Sequence, residues 1–152
     1  MTDDDLARRV ASAVQRHHLT IAVAESLTGG MLSSRLAAAP DAAAWFSGGV
    51  VAYSRTAKHV LLGVPEGPVV SRQSALAMAT GVARILEADM SISVTGVGGP
   101  DPQDGQPPGT VWLAVYGERG ARATEFHLNG LPEQILAGAC ERALEILLSE
   151  LE

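Results

Sequence analysis

The sequence is poor in the residues that build most specialised chemistries. Its 152 residues contain one cysteine, Cys140, and one lysine, Lys58, and aromatic residues make up only 4%. A single cysteine excludes an internal disulfide and a cysteine-rich zinc site, and Cys140 lies in an apolar helical stretch that suits a small core residue. Apolar runs such as Val60-Leu61-Leu62-Gly63-Val64 fall far short of the roughly 18 residues a membrane span requires. The N-terminus opens on Asp3-Asp4-Asp5 rather than on a basic signal, so no membrane partner and a cytoplasmic location are expected. Clusters of Lys and Arg are missing as well. With a net charge of −6, a general nucleic-acid surface is excluded and a small molecule is the expected partner.

What is present is apolar material: 47% hydrophobic against 18% charged residues, enough for a core and too little charge for a disordered or coiled-coil chain. A single domain over residues 1–152 is expected, with no internal repeat or linker. Helical spacing runs from Asp4 to His18, from Met31 to Ala39, from Thr56 to Leu62, from Ser71 (a candidate N-cap) to Glu87, and from Pro132 to about Glu150. Thr20–Ala24 and Met90–Thr95 have the composition of buried strands. Trp45–Tyr53 reads as extended with a bulge at Gly48-Gly49. Thr110–Tyr116 and Ala121–Leu128 form a hairpin across Gly117–Gly120. This order predicts an α/β fold: a three-layer α/β/α domain with a mixed, mostly parallel sheet.

Open α/β sheets bind ligands beyond the carboxyl ends of their strands, and two strands here run into glycine-rich turns. Ser26 stands at the first. A hydroxyl at a strand-to-helix turn, followed by Thr28-Gly29-Gly30, combines a nucleophile with backbone N–H groups that suit an oxyanion or phosphate. Capping of the next helix by Ser26 or Thr28 is the plainer alternative. The histidines, His17, His18, His59 and His127, show no metal-ligand spacing, so no metal and no cofactor are expected. Lys58 is the better base. Ten arginines beside one lysine single it out, because arginine replaces lysine as a solvated charge but cannot give up its proton. Codon bias produces the same ratio, so composition leaves both readings open. As a base Lys58 needs a strongly depressed pKa, through burial or through Arg55 on the same helical face. Tyr53 is placed to orient the amine or to pack at a strand end.

The stretch Gly96–Gly109 is too rich in Gly and Pro for helix or strand, and its length suits ligand contact. Pro100 and Pro102 follow its glycines where a dinucleotide fingerprint needs a helix, and no Gly-Lys-Ser/Thr of a Walker loop is present.

Three strings in register carry a resemblance. Ala24-Glu25-Ser26-Leu27-Thr28-Gly29-Gly30, Phe46-Ser47-Gly48-Gly49-Val50-Val51-Ala52-Tyr53-Ser54 with Lys58, and Thr95-Gly96-Val97-Gly98-Gly99-Pro100 resemble the signatures of the CinA C-terminal domain family. The likeness covers nearly the whole chain. It implies a nicotinamide-nucleotide amidohydrolase that converts nicotinamide mononucleotide to nicotinate mononucleotide and ammonia, in a stand-alone, often dimeric form. It also implies Ser26 as nucleophile, with Lys58 and Tyr53 as activating partners. Thr28, Gly29, Gly30, Gly48, Thr95, Gly96, Gly98 and Gly99 are then expected at the substrate. Leu27 stands where many members have cysteine, and Gly98 where many have alanine. Leu131–Leu136 contains none of the arginines common there, although Arg35 and Arg142 lie elsewhere in the chain. That gap keeps a non-catalytic nucleotide-binding or interaction module of the same fold as the competing expectation.

Overall fold

Helix α1 (Asp3–Arg16) starts where Thr2 can cap it: the Thr2 hydroxyl accepts from Asp5 N, and the Asp5 carboxylate accepts from Thr2 N in return. The computed structural model describes residues 2–152, so Met1 of the expected domain lies outside the described residues. Strand β1 (Ile21–Glu25) is buried throughout and is followed by α2 (Met31–Ala37) and α3 (Ala42–Trp45). Strand β2 (Phe46–Val51), α4 (Arg55–Leu62), α5 (Arg72–Ile85) and β3 (Met90–Gly96) come next. The chain ends with the hairpin β4 (Thr110–Gly117) and β5 (Gly120–His127), then α6 (Pro132–Leu151).

The sheet order is β2-β1-β3-β4-β5. Strand β1 pairs parallel with β2 and β3, while β3·β4 and β4·β5 are antiparallel, so four of the five strands point the same way. With helices on both faces, this is the expected three-layer α/β/α domain with a mixed sheet. The extended reading of Trp45–Tyr53 needs trimming. Three alanines, good helix formers, carry the chain through α3 after Asp41 adopts a left-handed conformation, and Trp45 Nε1 donates to Pro40 O at 3.0 Å. The bulge is present, because the pairing of Ile21 with Phe46 and of Ala22 with Gly48 skips Ser47.

The two faces of the sheet are built differently. Ile21, Val23, Ile92, Val94 and Leu113 meet α1, α2 and α6 in one large apolar core, where each fully buried aliphatic side chain contributes about 1.5–3 kcal/mol. The opposite face presents Ala22, Ala24 and Ala114 to α4 and α5. Ser91 and Ser93 stand there too, and their hydroxyls donate to the α5 carbonyls of Ala79 at 2.5 Å and Ala75 at 2.6 Å. Small side chains let α5 lie close to the strands, and the hydroxyls join the two layers.

Cys140 is fully buried in α6, and burial pushes its thiol up to about 12, so almost no thiolate forms near neutral pH. A thiol reagent such as dithionitrobenzoate is expected to leave the native protein unlabelled and to react with one equivalent after denaturation. Rapid native labelling would mean that α6 opens from the sheet. Among the described residues, no helix is long and apolar enough to cross a membrane, and no group of three or more His, Cys, Asp or Glu could hold a metal ion.

Candidate active site

Strands β2, β1 and β3 end side by side at one edge of the sheet, paired there as Glu25 with Val51 and Glu25 with Val94. The chain leaves these ends into the Ser26 turn, the Tyr53-Ser54 approach to α4, and the Gly96–Gly109 loop. Between them lies a cleft of about 400 Å³ lined by Ser26, Leu27, Tyr53 and the loop residues Gly96–Gly99 and Asp101–Gln103, with Pro132 and Leu136 of α6 on another side. A depression of about 490 Å³ near the other end of the sheet is lined by His17, Asp89, Arg119 and Glu150. Two of its three acids are already committed: Asp89 accepts from Thr20 N at 2.9 Å, and Glu150 pairs with Arg119 and Arg122, while Glu118 is exposed.

Ser26 is held by its backbone, whose N–H donates to Val94 O at 3.0 Å, and its hydroxyl has no hydrogen-bond partner among the described residues. The turn after it folds around a carboxylate that the motif reading passed over. Glu25 is fully buried and accepts from Thr28 Oγ1 at 2.5 Å, Gly30 N at 3.3 Å, Leu32 N at 3.0 Å, Ser33 N at 2.8 Å and Ser33 Oγ at 2.6 Å. It takes the place of the missing N-cap side chain of α2, where Gly30 occupies the cap position. Gly49 on β2 is needed beside this cluster, since a Cβ there would lie 2.0 Å from Ser33 Oγ.

This alters the expected oxyanion cradle at Thr28–Gly30. The Gly30 N–H is committed to Glu25 and the Gly29 N–H to Ser26 O at 3.0 Å. The Leu27 and Thr28 N–H groups, by contrast, have no acceptor among the described residues. Of the expected site residues, Ser26, Tyr53, Gly96, Gly98 and Gly99 line the cleft, and Lys58, Thr28, Gly29, Gly30, Gly48 and Thr95 do not. Thr28 and Thr95 are buried, with Thr95 Oγ1 donating to Val69 O at 2.9 Å on the α5 side. Gly48 sits in the β2 bulge.

Helix α4 begins at Ser54, whose hydroxyl accepts from Ala57 N at 3.0 Å, and carries Lys58 inward until only 2% of it is exposed. Lys58 Nζ donates to the backbone carbonyl of Tyr53 at 3.2 Å. Tyr53 therefore meets Lys58 through its main chain and also lines the cleft beside Ser26; no hydrogen bond joins Lys58 Nζ to Ser26 Oγ directly. Of the three N–H groups of an ammonium only one would find an acceptor here, so the site favours the neutral amine. Burial lowers the lysine pKa most, the Arg55 charge lowers it further, and Asp104 opposes both.

Asp104 is the second buried carboxylate near the site that spacing did not find. The 96–109 loop is not slack: Gln103 and Gln106 exchange backbone hydrogen bonds of 3.0 and 2.8 Å, and Asp104 Oδ2 accepts from Val69 N at 2.8 Å and Val70 N at 3.0 Å. Its Oδ1 pairs with Arg55. At the end of the loop Gly109, at φ +95°, turns so tightly that a Cβ would lie 1.9 Å from Leu128 O.

The CinA C-terminal domain profile matches residues 3–151. A putative competence-damage inducible protein of Desulforamulus reducens is 39% identical over 149 residues, covering 95% of this chain and 36% of that protein. A CinA-like protein of Frankia casuarinae is 39% identical over 150 residues, covering 95% and 35%. The chain thus spans about a third of the length of the curated relatives it matches. The crystal structure of a CinA superfamily protein from Klebsiella pneumoniae superposes with a TM-score of 0.95 at 32% identity, covering 99% of this chain and 98% of that one. One from Escherichia coli gives 0.95 at 35%, covering 98% and 90%. Sequence profile, fold and the three strings around the cleft agree, and the chain belongs to the CinA C-terminal domain family.

Proposed function

We propose that the chain is an amidohydrolase that converts nicotinamide mononucleotide to nicotinate mononucleotide and ammonia. The observation that carries this reading is a serine hydroxyl with no partner, at the mouth of β1, sharing a cleft with Tyr53, whose carbonyl holds the solitary buried lysine. Neutral Lys58 takes the proton of Ser26 as its oxygen attacks the carboxamide carbon. This requires the amine to turn from the Tyr53 carbonyl to the hydroxyl, a contact of the kind that tightens when substrate binds. The Leu27 N–H, unpaired and at the cleft, stabilises the developing oxyanion, such a donor being worth about 3 kcal/mol. The tetrahedral intermediate collapses, Lys58 returns the proton to the leaving nitrogen, and ammonia departs. Water, deprotonated by the same amine, then hydrolyses the acyl-serine ester and restores both groups.

The wall facing the substrate phosphate supports a second reading. Asp101 lines the cleft, no Lys, Arg or His does, and the first turn of α6 contributes Pro132 and Leu136. A phosphate there has only neutral donors to hold it: backbone N–H groups such as those of Gly98 and Gly99, and the side chains of Gln103 and Tyr53. A weakly binding nucleotide module, or an amidase for an uncharged carboxamide, meets the same constraint. Incubation of the purified chain with nicotinamide mononucleotide, with ammonia and nicotinate mononucleotide both measured, is expected to give equal amounts of the two. Saturable binding by calorimetry without ammonia would replace the enzyme by the module, and release only from uncharged carboxamides would replace the substrate.

A further inference from the structure

Proteins hold a phosphate most firmly with a cation or with the N-terminus of a helix, and around this cleft both are absent or already occupied. No Lys, Arg or His lines it. Arg35 and Arg142, which lie elsewhere in the chain, are engaged away from it: Arg142 stands over the Phe126 ring at 5.4 Å and 3.5 Å from Glu145, and Arg35 pairs with Asp3. Arg55 is paired with Asp104, so the two together bring no net charge. Helices α2 and α6 start near the cleft, after Leu27 and at Pro132. At α2 the anion position is filled from within the protein, because the Glu25 carboxylate accepts from Leu32 N and Ser33 N. At α6 Pro132 has no N–H, the Gln134 N–H donates to Leu131 O at 2.9 Å, and Glu133 adds a carboxylate to the first turn. The charge that the cleft itself supplies is Asp101, which is exposed and has no ion pair among the described residues. Leu27, Val97 and Leu136 offer it an apolar wall, and Tyr53 a ring that is 68% exposed.

We infer that the cleft prefers its carboxamide as a phosphate-free nucleoside, with Asp101 as the specificity-determining residue, so that nicotinamide riboside is a better substrate than nicotinamide mononucleotide. The inference rests on the proposed amide hydrolysis and specifies which form of the substrate that site takes. Both compounds carry the same pyridinium cation, which an apolar wall, an aromatic face and a carboxylate suit together. They differ in a phosphate of about −1.5 to −2 charge near neutral pH, which meets Asp101 and neutral donors only. A chain of net charge −6 adds to that repulsion and attracts the cationic riboside. The chemistry is unchanged: the carboxamide C–N bond breaks, water supplies the new C–O bond, and nicotinate riboside and ammonia leave.

Ammonia release from the two compounds tests this on the purified chain. The riboside is expected to show a kcat/KM at least about fivefold above that of the mononucleotide, with the difference in KM. Raising the ionic strength from about 0.01 M to about 0.15 M shortens the screening length from about 30 Å to about 8 Å. The gap should then narrow from both sides, as the mononucleotide improves and the riboside weakens. Asp101→Asn should narrow it at fixed salt, and Asp101→Lys should reverse the preference; the exposed position lets both variants fold. A mononucleotide hydrolysed as well as the riboside or better, or a preference that Asp101→Asn leaves untouched, overturns the inference while the amidase reading stands. If neither compound releases ammonia the amidase reading falls, and calorimetric titration with each decides the charge preference by itself. Tighter binding of the riboside then supports the inference, and equal or tighter binding of the mononucleotide, or no binding of either, overturns it.

Discussion

Lys58→Arg is expected to lower ammonia release from nicotinamide mononucleotide by at least about a thousandfold, and Ser26→Ala by at least as much. Arginine retains the charge and most of the length of lysine but keeps its proton at any accessible pH, so it removes the base. It also forces a permanent cation into a site with one carbonyl acceptor, which invites the objection that the protein has merely unfolded. Lys58→Met, which packs without a charge, answers that objection, and both replacements should be equally inactive while the Met variant melts normally. Ser26→Ala is cleaner still. The hydroxyl has no partner to lose, so the variant should keep its stability to within about 1 kcal/mol while losing activity. Comparable turnover in all variants would end the covalent mechanism. In the wild type, activity should rise with pH as Lys58 deprotonates. Because burial, and then Arg55, lower its pKa, that rise belongs below the ordinary lysine range.

Glu25→Ala is expected to cost about 3–5 kcal/mol of stability, a fall in Tm on the order of 10 °C. Five donors converge on this fully buried carboxylate: two hydroxyls and three N–H groups. Removing it leaves the Leu32 and Ser33 N–H groups in the first turn of α2 without an acceptor, because Gly30 supplies no side chain. Glu25→Gln should fall between wild type and alanine: one oxygen still accepts, but the amide nitrogen turns further donors toward donors. Thermal melts followed by circular dichroism measure both. An alanine variant that melts with the wild type would show that α2 does not depend on this cap. The loss should extend to the site, because the N–H group of Leu27 stands in the turn that Glu25 shapes.

The sequence made the layers legible because they rest on local signals. The period of α1, the buried composition of β1 and β3 and the Ser71 cap on α5 each depend on residues a few positions apart, and every expected helix and strand appears within about three residues of its place, α3 being the one element not expected. Helix α3 was missed because four residues, three of them alanine, are too few to display a period. Within the site, Ser26 and the buried Lys58 were visible as types: a hydroxyl at a strand end and an unreplaced amine. Glu25 was not, since an acid closing an apolar strand looks like a strand leaving the core. Its signal was the next helix, which begins at a glycine and must find an acceptor elsewhere. Asp104 answers to Arg55, Val69 and Val70, 49, 35 and 34 residues away, and no local pattern encodes such pairs.

The serine and alanine seam beneath α5 bears on how this chain can diverge over evolutionary time. On the side of α1 and α6, large aliphatic neighbours can exchange volume with one another, one shrinking as another grows, so many combinations fill the same space. Where Ala75 and Ala79 of α5 meet Ser91, Ser93 and Ala114 there is little volume to exchange, and each hydroxyl answers to a particular carbonyl. Substitutions on that side must preserve size and polarity together. Drift should therefore be channelled toward the other half of the molecule, leaving the strand ends beside Ser26 backed by a more invariant layer.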